Sequence, residues 1–308
     1  MLKVIAAEGC RPVIVMMRYS ILQESRGGWR IRRRQSFEGY RAELFDDVRL
    51  SQRLTTLKRV VIPSLVSQTI QPGADHFRLA IFTSDELPPH HLQNLAETIA
   101  PWPWIQLIMV RRQDRPNYEG EARRFLCDIG YRGPFATVRL DDDDALARVY
   151  LERLVPLIAP GSIGHAITFS QGYAAYLDPT SGTCSTFYSV VARFTALGLA
   201  AVASFDGSTI SPAERPTIYH YGKHSSIGRN FPFIEDSSFP AFLRTVYAEQ
   251  DTRGGARSKL SWWQRAAPAE VLAHVNVPTK ADEHRVSLLV RVATAIRRRR
   301  ASEPAKGP

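Results

Sequence analysis

The chain reads as an α/β fold with a mixed, mostly parallel central sheet flanked by helices. Through residues 12–150, short apolar β-branched runs alternate with helix-patterned segments. That order yields parallel strands joined by right-handed crossovers. The fourth run ends in four consecutive aspartates, Asp141 to Asp144, at a strand end, where open α/β sheets bind ligands. After Pro160 the alternation breaks, which predicts a differently built second half.

Pro12 to Arg18 is dense in large apolar residues and reads as a buried strand. Gly27-Gly28 and the basic run Arg30 to Arg34 read as a loop. Leu50, Leu54, Leu57, Val61 and Leu65 follow at helical spacing within Phe45–Gln68, and Pro63 should kink or split that helix. Phe77 to Phe82 is a second strand, and Thr83 to Pro88 a cap and turn. His90 to Ala100 is helical, Trp104 to Val110 a third strand, and Tyr118 to Ile129 a helix closed by Gly130. Phe135 to Leu140 is the fourth strand. Ala145 to Leu154 reads as a helix starting directly behind the aspartates. Gly164–Phe169 and Tyr173–Asp178 flank Ser-Gln-Gly and predict a hairpin. Phe187 to Ala203 fits strand or helix. Ile218 to Phe233 is aromatic and loop-like, and Phe239 to Gln250 is helical in pattern. Near the end, Val286 to Ile296 carries an apolar helical stripe followed by Arg297 to Arg300, and Ala301 to Pro308 is expected to be disordered.

An apolar content of 44% over 308 residues supports a substantial core in one large or two small domains. No run is long and apolar enough for a membrane span. Glu8 interrupts the short apolar N-terminus, which argues against a signal peptide. Three widely spaced cysteines, Cys10, Cys127 and Cys184, form no disulfide framework or metal pair, so a reducing cytoplasm fits. The net charge of +10 suits an anionic partner or a solvated face. No nucleic-acid module accompanies it, and nucleic acid is not expected as a partner.

Against that basic background the acidic quartet stands out. Adjacent carboxylates repel, and a divalent cation relieves the cost. Hard oxygen ligands suit Mg²⁺ or Mn²⁺. The competing reading is that the aspartates cap the following helix and complement its dipole.

Several segments together resemble the bacterial family described as putative rhamnosyltransferases, of the GT-A nucleotide-sugar glycosyltransferase type. They are Arg18-Tyr19-Ser20, Pro63-Ser-Leu65 with Gln68-Thr69, the stretch Ile81 to Pro88, and Arg139 to Leu146 with its Asp-x-Asp core. The likeness spans roughly residues 12 to 250. It implies a GT-A-like, Rossmann-like fold over residues 1–255. A nucleotide-sugar half would cover about 12–150 and an acceptor half about 160–255, with a helical extension and basic tail at 256–308. It also implies metal-dependent transfer of a sugar, rhamnose by the family's name, from a dTDP-, UDP- or GDP-sugar to a glycan or lipid-linked acceptor.

Carried over residue by residue, Asp141 and Asp143 fit the first and last Asp of the motif. Asp144 matches an adjacent family Asp and is taken with them as a metal ligand. Asp142 occupies the variable position and is expected to face solvent. The register is open by one, since all four are Asp. Arg18 and Tyr19 are expected at the donor, Asp85 at the base or as a helix cap, and Arg123 on phosphate or on a solvated helix face. In His220-Tyr-Gly-Lys-His224, the resemblance implies a metal-ligating His and a cation on the diphosphate. His224 and Lys223 are preferred, because Tyr219-His-Tyr221 reads as an inward-packing strand end. Asp206, Glu235 and Asp236 are the candidate bases for the acceptor hydroxyl. The basic amphipathic tail either packs on the domain or holds the protein peripherally at an anionic inner-membrane surface. Two other classes compete: a Mg²⁺-dependent phosphatase or phosphotransferase of haloacid-dehalogenase type, and a non-enzymatic basic binding protein.

Overall fold

The computed structural model describes residues 11–24, 36–247, 263–280 and 282. The loop at Gly27–Arg34, the stripe Val286–Ile296, the arginines 297–300 and residues 301–308 lie outside them.

Strand β1 (Val13–Tyr19) is central. Helices α1 (Phe37–Leu44) and α2 (Asp47–Thr56) follow, capped by the side chains of Ser36 and Asp46, which accept from the backbone amides of Gly39 and Arg49. The long helix expected across Phe45–Gln68 is not uniformly α-helical. A π-helical turn at Leu57–Val61 interrupts the α-helical pattern between α2 and α3 (Ile62–Val66) while the backbone stays helical, and it falls directly before Pro63, whose missing N–H removes one intrahelical bond. Next come β2 (Phe77–Ser84), α4 (Pro89–Ile99), β3 (Ile105–Val110), α5 (Tyr118–Asp128) and β4 (Gly133–Arg139). These four strands lie in the order β3-β2-β1-β4, all parallel.

The second half adds β5 (Ala145–Leu146), α6 (Tyr150–Leu154), β6 (Ala166–Asp178), β7 (Thr183–Val191), β8 (Leu199–Phe205) and β9 (Ile210–Ser211). The short helix α7 (Ile227–Asn230), β10 (Phe233–Val246), β11 (Gln264–Ala266) and α8 (Pro268–His274) complete the described chain. β8 is antiparallel to β4 and links it to β6, which runs parallel to β10. The architecture is an α/β fold, a mixed sheet flanked by helices and wholly parallel through its first four strands. Among the described residues, no helix is long and apolar enough to cross a membrane.

Three elements differ from the sequence reading. The helix expected from Ala145 begins only at Tyr150, because Ala145 and Leu146 pair with Leu243 and Phe242 of β10. The hairpin expected at Ser170-Gln-Gly172 is one continuous strand. Gly172 is there for close approach: a Cβ at that position would sit 2.5 Å from the Phe242 ring. The helix expected from Phe239 is the end of β10. Its apolar run is buried on both faces, so neither strand nor helix periodicity stands out. Residues 263–280, from the expected C-terminal extension, pack on the main body. β11 pairs with β7, and Val271, Val275 and Val277 join Val60, Ala145 and Tyr173 in one apolar cluster.

Two core layers sandwich the parallel strands, and β1 divides between them by its period of two. Val13, Val15, Met17 and Tyr19 pack with Leu50, Leu57 and Leu65 of the α2–α3 layer. Ile14 and Met16 pack with Phe82, Ala122 and Phe125 on the α5 side. β4 follows the same rule, with Phe135 on the α5 side and Ala136 and Val138 on the α2 side.

Candidate functional site

The period of two in β4 carries on past its end and sorts the quartet. Leu140 continues the α2-side layer, and its amide donates to Met16 O at 3.3 Å. Asp142 and Asp144 turn inward and are 4% and 5% exposed, while Asp141 and Asp143 stay half-buried.

Each inward carboxylate has its own compensation. Asp142 Oδ2 meets Arg53 Nη1 from α2 at 2.5 Å, a pair almost shut off from solvent. Burial holds Asp142 above the usual carboxylate range, against the pull of Arg53. Asp144 Oδ1 accepts from the amide of Thr245 in β10 at 2.9 Å. Burial first, and then the charge of Asp143, push the Asp144 carboxyl well up, against the opposing pull of Arg244. Thr245 Oγ1 also donates to Asp143 O at 2.7 Å, and Tyr247 donates to Asp143 Oδ2 at 3.1 Å. So β10 braces the acidic turn along its length. None of the aspartates caps a helix: α6 has Val149 at its N-cap and no side-chain cap.

Asp141 faces a cationic and aromatic wall. Arg139 Nη2 lies 3.5 Å from its Oδ1. Tyr118, at the start of α5, stacks on Tyr219 with ring centroids 4.0 Å apart, and the guanidinium groups of Arg18 and Arg139 approach the Tyr219 ring at 5.0 and 5.6 Å. Burial works against the charge on Arg18, but Tyr219, Tyr118 and Asp141 outweigh it and hold its pKa up. His224 is in electrostatic reach of the same group. Burial lowers its pKa first, then Arg139 and Arg244, against the opposite pull of Asp141. That favours the neutral imidazole, the form that ligates metal. Lys223 beside it is exposed. On the α2 side a solvent-open cleft is lined by Arg49, Gln52, Arg53, Thr56, Pro179 and Tyr247.

The other expected residues divide by position. Tyr19 is not at the surface: its side chain takes the α2 face, 2% exposed, with its hydroxyl donating to Leu50 O at 3.4 Å. Its neighbour Arg18 takes the opposite face. Asp142 is buried, contrary to its expected solvent-facing position. Asp144 is turned toward β10 instead of outward with Asp141 and Asp143. Arg123 lies on the solvent face of α5, 47% exposed and paired with Glu119 at 2.8 Å. Asp85 is exposed at the carboxyl end of β2 and caps nothing, since α4 has Pro88 at its N-cap. His220 is exposed within a 3₁₀ turn, not a strand end, and bonds Thr217 Oγ1 at 2.9 Å.

Of the acids proposed as base, Asp206 is at the wrong end of the sheet. β8 runs antiparallel to β4, so Phe205 pairs with Gly133, the start of β4. Asp206 there accepts from the Thr209 hydroxyl and from the amides of Thr209 and Ser208, which together hold its pKa down. Glu235 pairs with Thr168, and the registers through β6 and β8 place that level beside Arg139. Three strand spacings, about 14 Å, separate the two. Glu235 is engaged by Arg193 at 2.6 Å, and Asp236 accepts from the Ser238 amide at 2.8 Å. Both are at the quartet's end of the sheet without touching it.

Sequence reasoning missed Arg53, Tyr118, Tyr219, Arg244 and Tyr247. Arg244 and Tyr247 fell in a segment read as helix. Tyr118 opens α5 and Tyr219 sits in a 3₁₀ turn far along the chain, and only the fold brings them together.

Asp141 and Asp143 offer hard oxygen donors and His224 an imidazole, a set that fits Mg²⁺ or Mn²⁺. Among the described residues, however, these groups do not converge as a closed shell; the group that does is elsewhere, at Asp47, His90 and His91. An open arrangement of this kind suits an ion that takes its remaining ligands from substrate phosphates and water.

A family model described as Putative rhamnosyl transferase matches residues 12–258, most of the chain. No curated protein matches. Among solved structures, the chain is similar to UDP-glucose pyrophosphorylase complexed with UDP-glucose at 12% identity and a TM-score of 0.25, over 62% of this chain and 74% of that one. A likeness that faint carries no further argument.

Proposed function

The chain belongs to the putative rhamnosyl transferase family, and from that premise we propose that it is a metal-dependent glycosyltransferase using a nucleotide-sugar donor. One observation carries the reading. Asp141 and Asp143 stand at the carboxyl end of β4, Asp141 with Arg139, Arg18 and His224 within contact or electrostatic reach and the adjacent Asp144 within reach of Arg244. Opposed charges at a parallel strand end suit a diphosphate with its counter-ion.

In this reading Asp141 and Asp143 hold Mn²⁺ or Mg²⁺, with His224 as a third donor. The ion would supply charge neutralisation on the leaving diphosphate. Lys223 and the guanidinium of Arg18 stabilise the same developing charge from the protein side. Asp85, exposed at the end of β2, contacts the base. The acceptor hydroxyl adds to the anomeric carbon, the bond to the diphosphate oxygen breaks, and the nucleoside diphosphate leaves. Glu235 or Asp236 takes the hydroxyl proton. Rhamnose is the sugar the family name suggests, and a glycan or lipid-linked alcohol is the acceptor.

The test is nucleoside diphosphate release from dTDP-rhamnose, UDP-glucose and GDP-mannose with Mn²⁺. One donor should turn over in the parent protein and not in Asp143→Asn. Phosphate release from a phosphomonoester, with no diphosphate released from any sugar nucleotide, would point to a phosphatase instead.

A further inference from the structure

Away from the quartet, α2 and α4 bring three ligating side chains to one point. Asp47 Oδ1 lies 2.9 Å from His90 Nε2 and 2.8 Å from His91 Nε2. Among the described residues this is the group of three whose ligand atoms all fall within 4.8 Å of one another.

Two features separate it from a casual surface contact. The three side chains come from two elements, since Asp47 opens α2 and the histidines sit in the first turn of α4. His91 also occupies a slot in the buried stripe of α4, with Leu95 and Ile99, and is 5% exposed. Imidazole in an apolar stripe is costly unless its ring nitrogens are satisfied. Here packing fixes the ring and aims Nε2 outward at the carboxylate. His90, 62% exposed at its side chain, brings a second ring with its centroid 4.1 Å away.

We propose that Asp47, His90 and His91 form a binding site for a Zn²⁺-class ion that ties α2 to α4. Two imidazoles and a carboxylate suit zinc, with water completing the shell, and discriminate against magnesium. The Asp47 side chain is 75% exposed and can swing aside for an ion to enter. The two helix N-termini oppose a cation, and the Asp47 carboxylate offsets them. The site is distinct from the quartet in ligands and in preferred metal. It bears on the quartet mechanically, because α2 also carries Arg53, which holds Asp142.

The experiment is calorimetric titration of the full chain with ZnCl₂ in excess Mg²⁺, which competes for the carboxylates of the quartet. His90→Gln and Asp47→Asn are the variants, both at exposed positions where substitution leaves the core untouched. Zinc should bind the parent protein and raise its melting temperature, and each variant should weaken binding by at least about tenfold. Absence of zinc binding in the parent protein would overturn the proposal and leave a hydrogen-bonded carboxylate–imidazole cluster only. Equal affinity in the parent and both variants would overturn it too, since zinc would then be bound elsewhere.

Discussion

Replacing Arg53 by Met should expose how the acidic turn is held. Arg53 and Asp142 are 14% and 5% exposed at their side chains and meet at 2.5 Å. Removing one member of a buried pair leaves an uncompensated charge, at a cost of about 3–5 kcal/mol. Met fills much of the volume of the Arg stem, so the loss is chiefly electrostatic. Burial already raises the Asp142 pKa, and without Arg53 it must rise further. The carboxyl is then protonated in both folded and unfolded chains at acid pH, and the deficit vanishes there. It grows as pH rises through the folded pKa of Asp142 and is full above it. Urea unfolding in EDTA across that range measures the effect. Arg53→Met with Asp142→Asn should recover most of the loss, because the stranded charge is gone. A deficit that is independent of pH, or a double variant as unstable as Arg53→Met, would refute the reasoning.

Three further outcomes follow from the same geometry. Arg18→Met should weaken nucleoside diphosphate binding, whereas Tyr19→Phe should leave it unchanged and cost roughly 1 kcal/mol of stability or less; similar binding losses in both would contradict the facing assigned to β1. Asp144 is held well above the ordinary carboxylate range by burial, so its contribution to metal-free stability is fully present below the unfolded value of about 3.9 and is lost as pH rises through the folded pKa. Asp144→Asn should therefore gain stability over the parent at alkaline pH and gain nothing near pH 4, as melting temperatures in EDTA would register. Asp206→Ala should leave turnover unchanged while Glu235→Gln or Asp236→Asn lowers it; a loss of turnover in Asp206→Ala would overturn the assignment of opposite sheet ends.

The first half of the fold was legible in the sequence because its central strands β1, β2 and β4 are largely buried on both faces and its helices are amphipathic, so the two patterns differ sharply. Val13–Tyr19 and Tyr118–Asp128 lie within a residue or two of their expected bounds. Past the quartet that contrast disappears. β10 is apolar enough to mimic a helix, and Gly172 looked like a turn because the sequence cannot show the Phe242 ring resting on it. The quartet was visible as chemistry. Its division into inward and outward pairs was not, because it depends on which face of β4 meets α2. Tyr118 and Tyr219 lie a hundred residues apart in sequence, and their stacking is a property of the fold alone.

Calorimetry of Mn²⁺ and nucleoside diphosphate binding, each alone and then together, tests the central claim most directly. Because the outward carboxylates do not close a shell, Mn²⁺ alone should bind weakly, and dTDP, UDP or GDP should bind at least about tenfold tighter with Mn²⁺ than in EDTA, the ion drawing its remaining ligands from phosphate. Asp143→Asn should abolish that synergy without lowering the melting temperature. Nucleotide affinities that are equal in Mn²⁺ and in EDTA, or synergy that survives in Asp143→Asn, would contradict the account.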